Sequence, residues 1–410
     1  MSNVERAQRV GLFGRLGSGN LGNDAGLEAM LAYLRTEHPD AVLDSLCSGP
    51  EVVTARHGIP AYQIHCLNNS QAPRSRLGRA ALTVPRIALG ALIDTWRTVA
   101  WTRRHDVVIV PGSGVLEATM PQRPWQLPYS LAVVSVAARV FGAKFAFVSI
   151  GATVIRQRVN RRLMRFSTRL AHYRSFRDQQ SLDGARESGF ATSRDRVHPD
   201  LVFALPAPVA DPGPTGVVGV GVISYHYSAD DPRTDELYDS YLAKMRRFVR
   251  ELTTRGYQVQ LFVGDDYDEP VIPMLQEEAE AGTIRYDRCE TFDELMNQIA
   301  GVDVMIGSRF HNVIAGLKCA KPTISIGYGR KNAAVMELFG QGEYAHDIRD
   351  FDVDVLLEQF TLLMRDRERV MKELAECNSA VERGLAEQFE ALSAEVFANP
   401  PVRRAGSVPA

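Results

Sequence analysis

The fold class this sequence predicts is α/β, with two Rossmann-like domains whose parallel sheets face a cleft. Three observations carry it. Apolar strand-like runs alternate with stretches of helical periodicity along both halves of the chain. A segment rich in proline and glycine, LPAPVADPGPTG at 205–216, separates the halves. The chain has 410 residues and 45% hydrophobic content, which is more than one ordinary core accommodates.

In the first half, VGLF at 10–13 reads as a strand and AGLEAMLAYL at 25–34 as a helix, with a glycine loop between them. Further strands are expected at 41–46, 106–110 and 144–150, and helices at 128–141 and 161–172. The second half repeats the alternation, with strands at 217–223, 258–263, 302–306 and 323–326 and helices at 235–255, 291–299 and 313–319. Residues 353–396 read as helical and charged. The expected organisation is a first domain at 1–205, a linker at 206–216 and a second domain at 217–350. Helices at 351–397 and a disordered tail at 398–410 complete it. In such folds ligands bind at the carboxyl ends of the strands.

Five scattered cysteines form no C-x-x-C pair and no zinc spacing, which points to a reducing cytoplasm and no structural metal. The amino terminus has no apolar stretch of signal-peptide length, and no run is long enough to span a membrane. The net charge of −2 conceals an asymmetry: residues 1–204 hold 26 Lys and Arg against 15 Asp and Glu, and the remainder holds 21 against 34. A basic first domain either faces an anionic partner or attracts the acidic second one.

The loop GRLGSGNLGNDA at 14–25 contains a literal G-x-G-x-x-G at Gly17, Gly19 and Gly22. A dinucleotide loop needs its first glycine at the end of the strand, and that residue is Gly14, from which the register fails. Asp44 is the acid a ribose would need if the chain bound a nicotinamide nucleotide. Asn23 or Asp24 is expected to cap the helix, whereas Asn20 caps nothing in this reading and points into the cleft.

The most informative stretch is GSRFHNVIAGLKCAKPTISIGYGRKNAAVMELFG, 307–340. Arg309 and His311 follow a strand and precede a helix; Tyr328, Arg330 and Lys331 follow the next strand and reach the same sheet edge. A planar guanidinium, an imidazole and an ammonium together suit a small, multiply anionic molecule. The plainer reading pairs Arg309 with an acid and has His311 cap a turn. Lys331 gains weight because the chain has six lysines against 41 arginines.

On these residues the chain resembles the polysaccharide pyruvyl transferase family. Its G-x-G-N-x-G-D element is matched by 17–24, with Asn23 where the acid usually stands and Asp24 following. A glycine-rich strand end is similar to VIVPGSGVLE at 108–117, with Pro111 and Ser113 in place of glycines. R-D-x-x-S resembles FRDQQS at 176–181, and a P-D pair follows at Pro199 and Asp200. S-R-x-H, G-x-P and Y-x-x-K are similar to 308–311, the turn at Lys321 and Pro322 without its preceding glycine, and 328–331.

The resemblance implies a GT-B-like fold and transfer of pyruvate from phosphoenolpyruvate onto two sugar hydroxyls as a ketal, in the biosynthesis of a cell-envelope polysaccharide. It implies Arg177, Arg309, Lys331, Tyr328 and Ser308 on the donor, with His311 as general acid and Arg309 beside it in catalysis. Asn20, Asp24, Glu117 and Gly114 are implied on the acceptor side. Phosphoenolpyruvate is then a co-substrate, and no cofactor or metal is expected.

A sugar-nucleotide glycosyltransferase of the same architecture, with Glu337 holding a ribose, and a non-catalytic member of the family stay open as alternatives. Eight arginines at 156–177 precede any acid, and seven at 74–104 accompany a single Asp94. This suggests either a peripheral contact with anionic lipid at the inner face of the membrane, reaching a lipid-linked glycan, or an ordinary solvated surface. Nucleic acid is not an expected partner, because the arginines lack interleaved aromatic platforms.

Overall fold

Two all-parallel sheets organise the computed structural model, which describes residues 7–66, 76–117, 123–208, 213–224 and 233–398. By contacts the chain divides into two compact units. One holds Met1–Ser18, Gly26–Leu201 and Ala386–Ala410, and the other holds Gly19–Ala25 and Val202–Leu385. The loop at 19–25 therefore packs with the second unit, although it follows the first strand of the first.

The first unit runs β1 (Arg9–Gly14), α1 (Leu21–Glu37), β2 (Val42–Cys47), α2 (Pro50–His57), β3 (Ala61–Gln63), α3 (Arg76–Thr102), β4 (Val107–Pro111) and α4 (Leu127–Phe141). It continues with β5 (Lys144–Ile150), α5 (Arg158–Leu170), β6 (Tyr173–Phe176), α6 (Gln179–Glu187) and β7 (Arg196–Val197). Strand order is β3-β2-β1-β4-β5-β6-β7. Because right-handed crossovers run one way from β1 and the other way from β4, α3, α4 and α5 share one face and α1 and α2 the other. The central strands β4 and β5 are buried on both faces, as expected for near-continuous apolar runs. Gly11 of β1 admits the indole of Trp101, since a Cβ there would lie 2.5 Å from the ring. Asp44 accepts from Trp101 Nε1 at 2.7 Å and lies 2.8 Å from His105 Nε2. It is a structural acid of the core and not a ribose ligand.

The second unit repeats the order: β8 (Val217–Gly221), α7 (Thr234–Thr254), β9 (Gln258–Phe262), α8 (Val271–Gln276), β10 (Ile284–Tyr286), α9 (Phe292–Ala300), β11 (Val304–Gly307), α10 (Phe310–Lys318), β12 (Thr323–Gly327), α11 (Arg330–Leu338) and β13 (Ala345–Asp347). Its sheet order is β10-β9-β8-β11-β12-β13, the same winding as in the first sheet. Helices α12 (Val353–Arg365) and α13 (Arg367–Leu392) end the chain, α12 packing on α7. The expected tail at 398–410 and residues 209–212 of the expected linker lie outside the described residues, Ala398 excepted.

Helix α1 begins at Leu21, four residues earlier than its apolar period suggests. Asn20 is the reason. Its Oδ1 accepts from Asn23 N at 3.3 Å, and its carbonyl accepts from Asn23 N and Asp24 N at 3.1 and 3.2 Å. The expectation that Asn23 or Asp24 caps this helix while Asn20 caps nothing is thus reversed; both sit inside the first turn. The short strands β3, β6, β7, β10 and β13 also escaped the sequence reading, because two to four residues carry no measurable alternation.

Candidate functional site

The carboxyl ends of β11 and β12 are followed by two turns of matching construction. After Gly307, Ser308 is fully buried, donates its N–H to Gly221 O at 2.9 Å, and pairs its hydroxyl with Tyr241 at 3.0 Å. Burial chiefly pushes the Tyr241 hydroxyl far above the ordinary tyrosine range, so it stays protonated and able to donate. Arg309 is then the N-cap of α10, placing His311 second and Asn312 third in the helix. After β12, Gly329 is the N-cap of α11, placing Lys331 second and Asn332 third. His311 and Lys331 are therefore register equivalents at two neighbouring helix N-termini, where exposed N–H groups favour an anion.

Each asparagine is pressed on a strand-ending glycine. A Cβ on Gly221 would lie 2.5 Å from Asn312 Nδ2, and one on Gly327 would lie 2.6 Å from Asn332 Cβ. Asn312 is fully buried, and its side-chain oxygen and nitrogen have no hydrogen-bond partner among the described residues.

Arg309 is held by Asp268, a fully buried carboxylate in the turn after β9. Its Nε and Nη2 donate to the two carboxylate oxygens at 2.6 and 2.7 Å, and Ser224 N adds a bond of 2.8 Å to the same group. Burial alone would lower the guanidinium, but the bonds and charge of Asp268 outweigh it and raise Arg309 well above its ordinary value. The Nη1 amino group makes no hydrogen bond to the described residues, so one edge of the fork remains for a ligand. Lys331 Nζ sits 5.3 Å from the ring centroids of both Phe310 and Tyr328, and Phe310 meets the His311 ring edge-on at 5.2 Å. Cation–π attraction to two rings fixes the ammonium beside the first turn of α10.

The glycine loop joins this group. A Cβ on Gly22 would lie 1.9 Å from His311 Cε1 and 2.0 Å from Nδ1, so the imidazole rests directly on the backbone of the first turn of α1. Asn20 Nδ2 donates to Asp265 Oδ2 at 3.3 Å, and Asp24 is buried in the same turn. Gly17, at φ +66°, faces Gly49 O, which a Cβ would approach to 2.3 Å. The glycines thus serve a left-handed turn and two close approaches. Asn20 and Asp24, which the resemblance implies on the acceptor side, both pack with the second unit.

Glu117, Gly114 and Arg177 come together in the first unit. Arg177 is buried, ion-paired to Glu117, and lies 3.4 Å from Asp200 and 3.5 Å from Asp178. A Cβ on Gly151 would fall 2.5 Å from Glu117 Oε1 and 2.8 Å from Arg177 Nη2, and one on Gly114 would fall 2.8 Å from Glu117 Cδ. Asp178 also caps α6, accepting from Ser181 N at 2.6 Å, which explains the R-D-x-x-S spacing. The site residues therefore fall into two clusters. Ser308, Arg309, His311, Tyr328, Lys331, Asn20 and Asp24 belong to the second unit, and Gly114, Glu117 and Arg177 to the first.

Sequence reasoning missed Asp268, Asp265, Tyr241 and Asn312. The signal for the first two was available in GDDYDE at 264–269, an acidic run directly after a strand. Glu337, the acid considered for a ribose, is exposed on α11. Among the described residues no group of three or more His, Cys, Asp or Glu could hold a metal ion, and none of the five cysteines is in a disulfide.

Similar folds occur in solved structures. UDP-GlcNAc 2-epimerase from Neisseria meningitidis bound to UDP-GlcNAc matches with a TM-score of 0.56 at 11% identity, covering 94% of this chain and 99% of that one. A putative UDP-N-acetylglucosamine 2-epimerase from Listeria monocytogenes matches at 0.60 and 12%, covering 97% and 99%. MurG from Acinetobacter baumannii matches at 0.53 and 11%, covering 94% and 99%. At such identities the likeness establishes the fold, which is GT-B-like. A search of curated proteins gives no match. The family model described as polysaccharide pyruvyl transferase matches residues 20–330, from the cap of α1 to the first residue of α11. With more than half of the sequence matched, the chain belongs to the polysaccharide pyruvyl transferase family.

Proposed function

We propose that the protein transfers pyruvate from phosphoenolpyruvate to two hydroxyls of a sugar in a cell-surface glycan or glycolipid precursor. The observation that carries this reading is the placement of His311 and Lys331 at the same position of two neighbouring helix N-termini, with Arg309 capping the first. Such a group suits a donor that presents a carboxylate and a phosphate on adjacent bonds.

In the proposed reaction His311 gives a proton to the C3 methylene as a sugar hydroxyl attacks C2. The second hydroxyl then displaces phosphate from C2. Of the two hydroxyl protons released, one replaces the proton spent on the methyl group and the other leaves with phosphate. Lys331 and the Nη1 edge of Arg309 bind the donor anion, with Tyr328 and Ser308 supporting them. Asp268 is a positioning residue, because it sets the plane of the Arg309 fork. Glu117, ion-paired to Arg177, and Gly114 are the proposed acceptor contacts, and Asn20 and Asp24 act by seating α1 beneath His311. Arg177 serves the donor only if a ligand draws it from Glu117; as placed, it orients that carboxylate. The reaction so written uses no cofactor or metal, and its donor places it in the cytoplasm.

The test is incubation with phosphoenolpyruvate and a panel of acceptor glycans, following phosphate release and product mass. Phosphate release coupled to a product heavier by one pyruvate ketal supports the reading. His311→Ala is expected to lower turnover by a factor of about 10²–10⁴, and near-normal turnover in that variant removes the proposed acid. Turnover of a sugar nucleotide without phosphoenolpyruvate would instead favour a glycosyltransferase, and binding of neither donor a non-catalytic role.

A further inference from the structure

Three helices of the first unit form a surface of unusual composition. Helices α3, α4 and α5 lie side by side, α4 packing against both neighbours. On α3, Leu89, Leu92 and Trp96 are 55%, 68% and 71% exposed at a spacing of three and four residues, one continuous helical stripe. Val136 and Val140 on α4, and Val159 and Phe166 on α5, are exposed as well. Large apolar side chains are normally exposed singly, not along three adjoining helices.

The charges on these helices are one-sided. Neither α4 nor α5 contains an aspartate or glutamate. The single acid of α3, Asp94, is buried, accepting from Cys66 N at 3.0 Å and lying 3.2 Å from His65. Arg139, Arg158, Arg162, Arg165 and Arg169 are exposed, and none of them forms an ion pair among the described residues. Solvated helices usually mix both signs. The acid-free composition ends at α6, which carries Asp183 and Glu187.

We infer that this face docks on an anionic lipid bilayer. Trp96, Leu92, Leu89 and Phe166 enter the headgroup and acyl boundary, while the five arginines extend their guanidinium groups to lipid phosphates. Charge complementarity selects the occupant, since five arginines without an ion pair among the described residues, on two helices that carry no carboxylate, would repel a second copy of the same face. No helix among the described residues is long and apolar enough to cross a membrane, so the contact is peripheral. The inference does not depend on which donor the enzyme uses.

The test is cosedimentation of the full chain with vesicles of phosphatidylcholine alone or mixed equally with phosphatidylglycerol, at low and high salt. Binding is expected only to the mixed vesicles and is expected to weaken steeply with salt. Each arginine near the surface contributes on the order of fivefold to partitioning, so Arg162→Ser with Arg165→Ser should lose roughly 25-fold. Leu92→Ser with Trp96→Ser should lose at least about tenfold. Arg285→Ser, in the second unit, is the control and should change nothing. Failure to bind the mixed vesicles at low salt, or binding undiminished in both double variants, overturns the inference. A dimer seen by light scattering and abolished by Trp96→Ser would also overturn it and assign the face to a second copy.

Discussion

The contact between Gly22 and His311 can be tested through stability alone, before any substrate is known. Gly22 is the second residue of α1, and glycine there forgoes about 0.5–1 kcal/mol of helix propensity relative to alanine. In an open position Gly22→Ala would stabilise the protein by that amount. Here the new methyl would lie 1.9 Å from His311 Cε1, well inside van der Waals contact, so the imidazole or the helix turn must move. Overpacking of this kind costs about 1–3 kcal/mol, which makes Gly22→Ala destabilising in the wild-type background. In a His311→Ala background the obstruction is gone, and the same substitution should stabilise by about 0.5–1 kcal/mol. The cycle therefore predicts a reversal of sign and a coupling of about 1–3 kcal/mol, the overpacking term alone. Denaturant midpoints of the four proteins measure it. Thermal midpoints, which move about 2–4 °C per kcal/mol for a unit of roughly 150–250 residues, give a second reading. Additive changes, or Gly22→Ala destabilising both backgrounds equally, would refute the idea that this glycine is kept open by the imidazole. The Gly22→Ala enzyme should also lose turnover, because its proposed acid is displaced.

Three further outcomes follow from the geometry. Asp268→Asn removes the partner of a largely buried guanidinium and should destabilise by about 3–5 kcal/mol, with Arg309→Met in the same chain recovering part of the loss; equal stability of single variant and wild type would contradict the pairing. Ala320 occupies φ +52° just past α10, where an L-residue is strained by roughly 1–2 kcal/mol, so Ala320→Gly should raise the denaturant midpoint by a net of about 0.5–1 kcal/mol after the entropy of glycine is counted. Burial, with cationic neighbours for two of them, holds His38, His57 and His172 below the ordinary histidine range. The unfolded chain therefore takes up protons first, and stability is present above about pH 6.5 and lost as pH falls. His172 accepts from Phe145 N at 3.1 Å, so His172→Asn should flatten the acid limb of stability between pH 7 and 5.

What the sequence disclosed and what it withheld divide along physical lines. The strands β1, β4, β5, β8, β11 and β12 announced themselves as apolar runs because they are buried almost throughout, and the alternating helices followed from period. Arg309, His311 and Lys331 were visible because a strand end followed by a helix start fixes an address at the sheet edge. Their partners were not visible, since an ion pair such as Arg309 with Asp268 spans 41 residues and no local pattern encodes it. The loop at 14–25 shows the limit most clearly. Its glycines matched a phosphate motif by spelling, while each has a separate cause: Gly17 turns left-handed beside Gly49, and Gly22 makes room for a ring 289 positions away. Asn20 looked unoccupied because helix propensity placed the start of α1 after Gly22. A glycine retained for close approach reads as a helix breaker from sequence, and the cap shifts with it. Where a glycine sits inside an otherwise periodic helix start, the informative question is what lies against its missing side chain. In this chain the answer is the residue proposed to carry the chemistry.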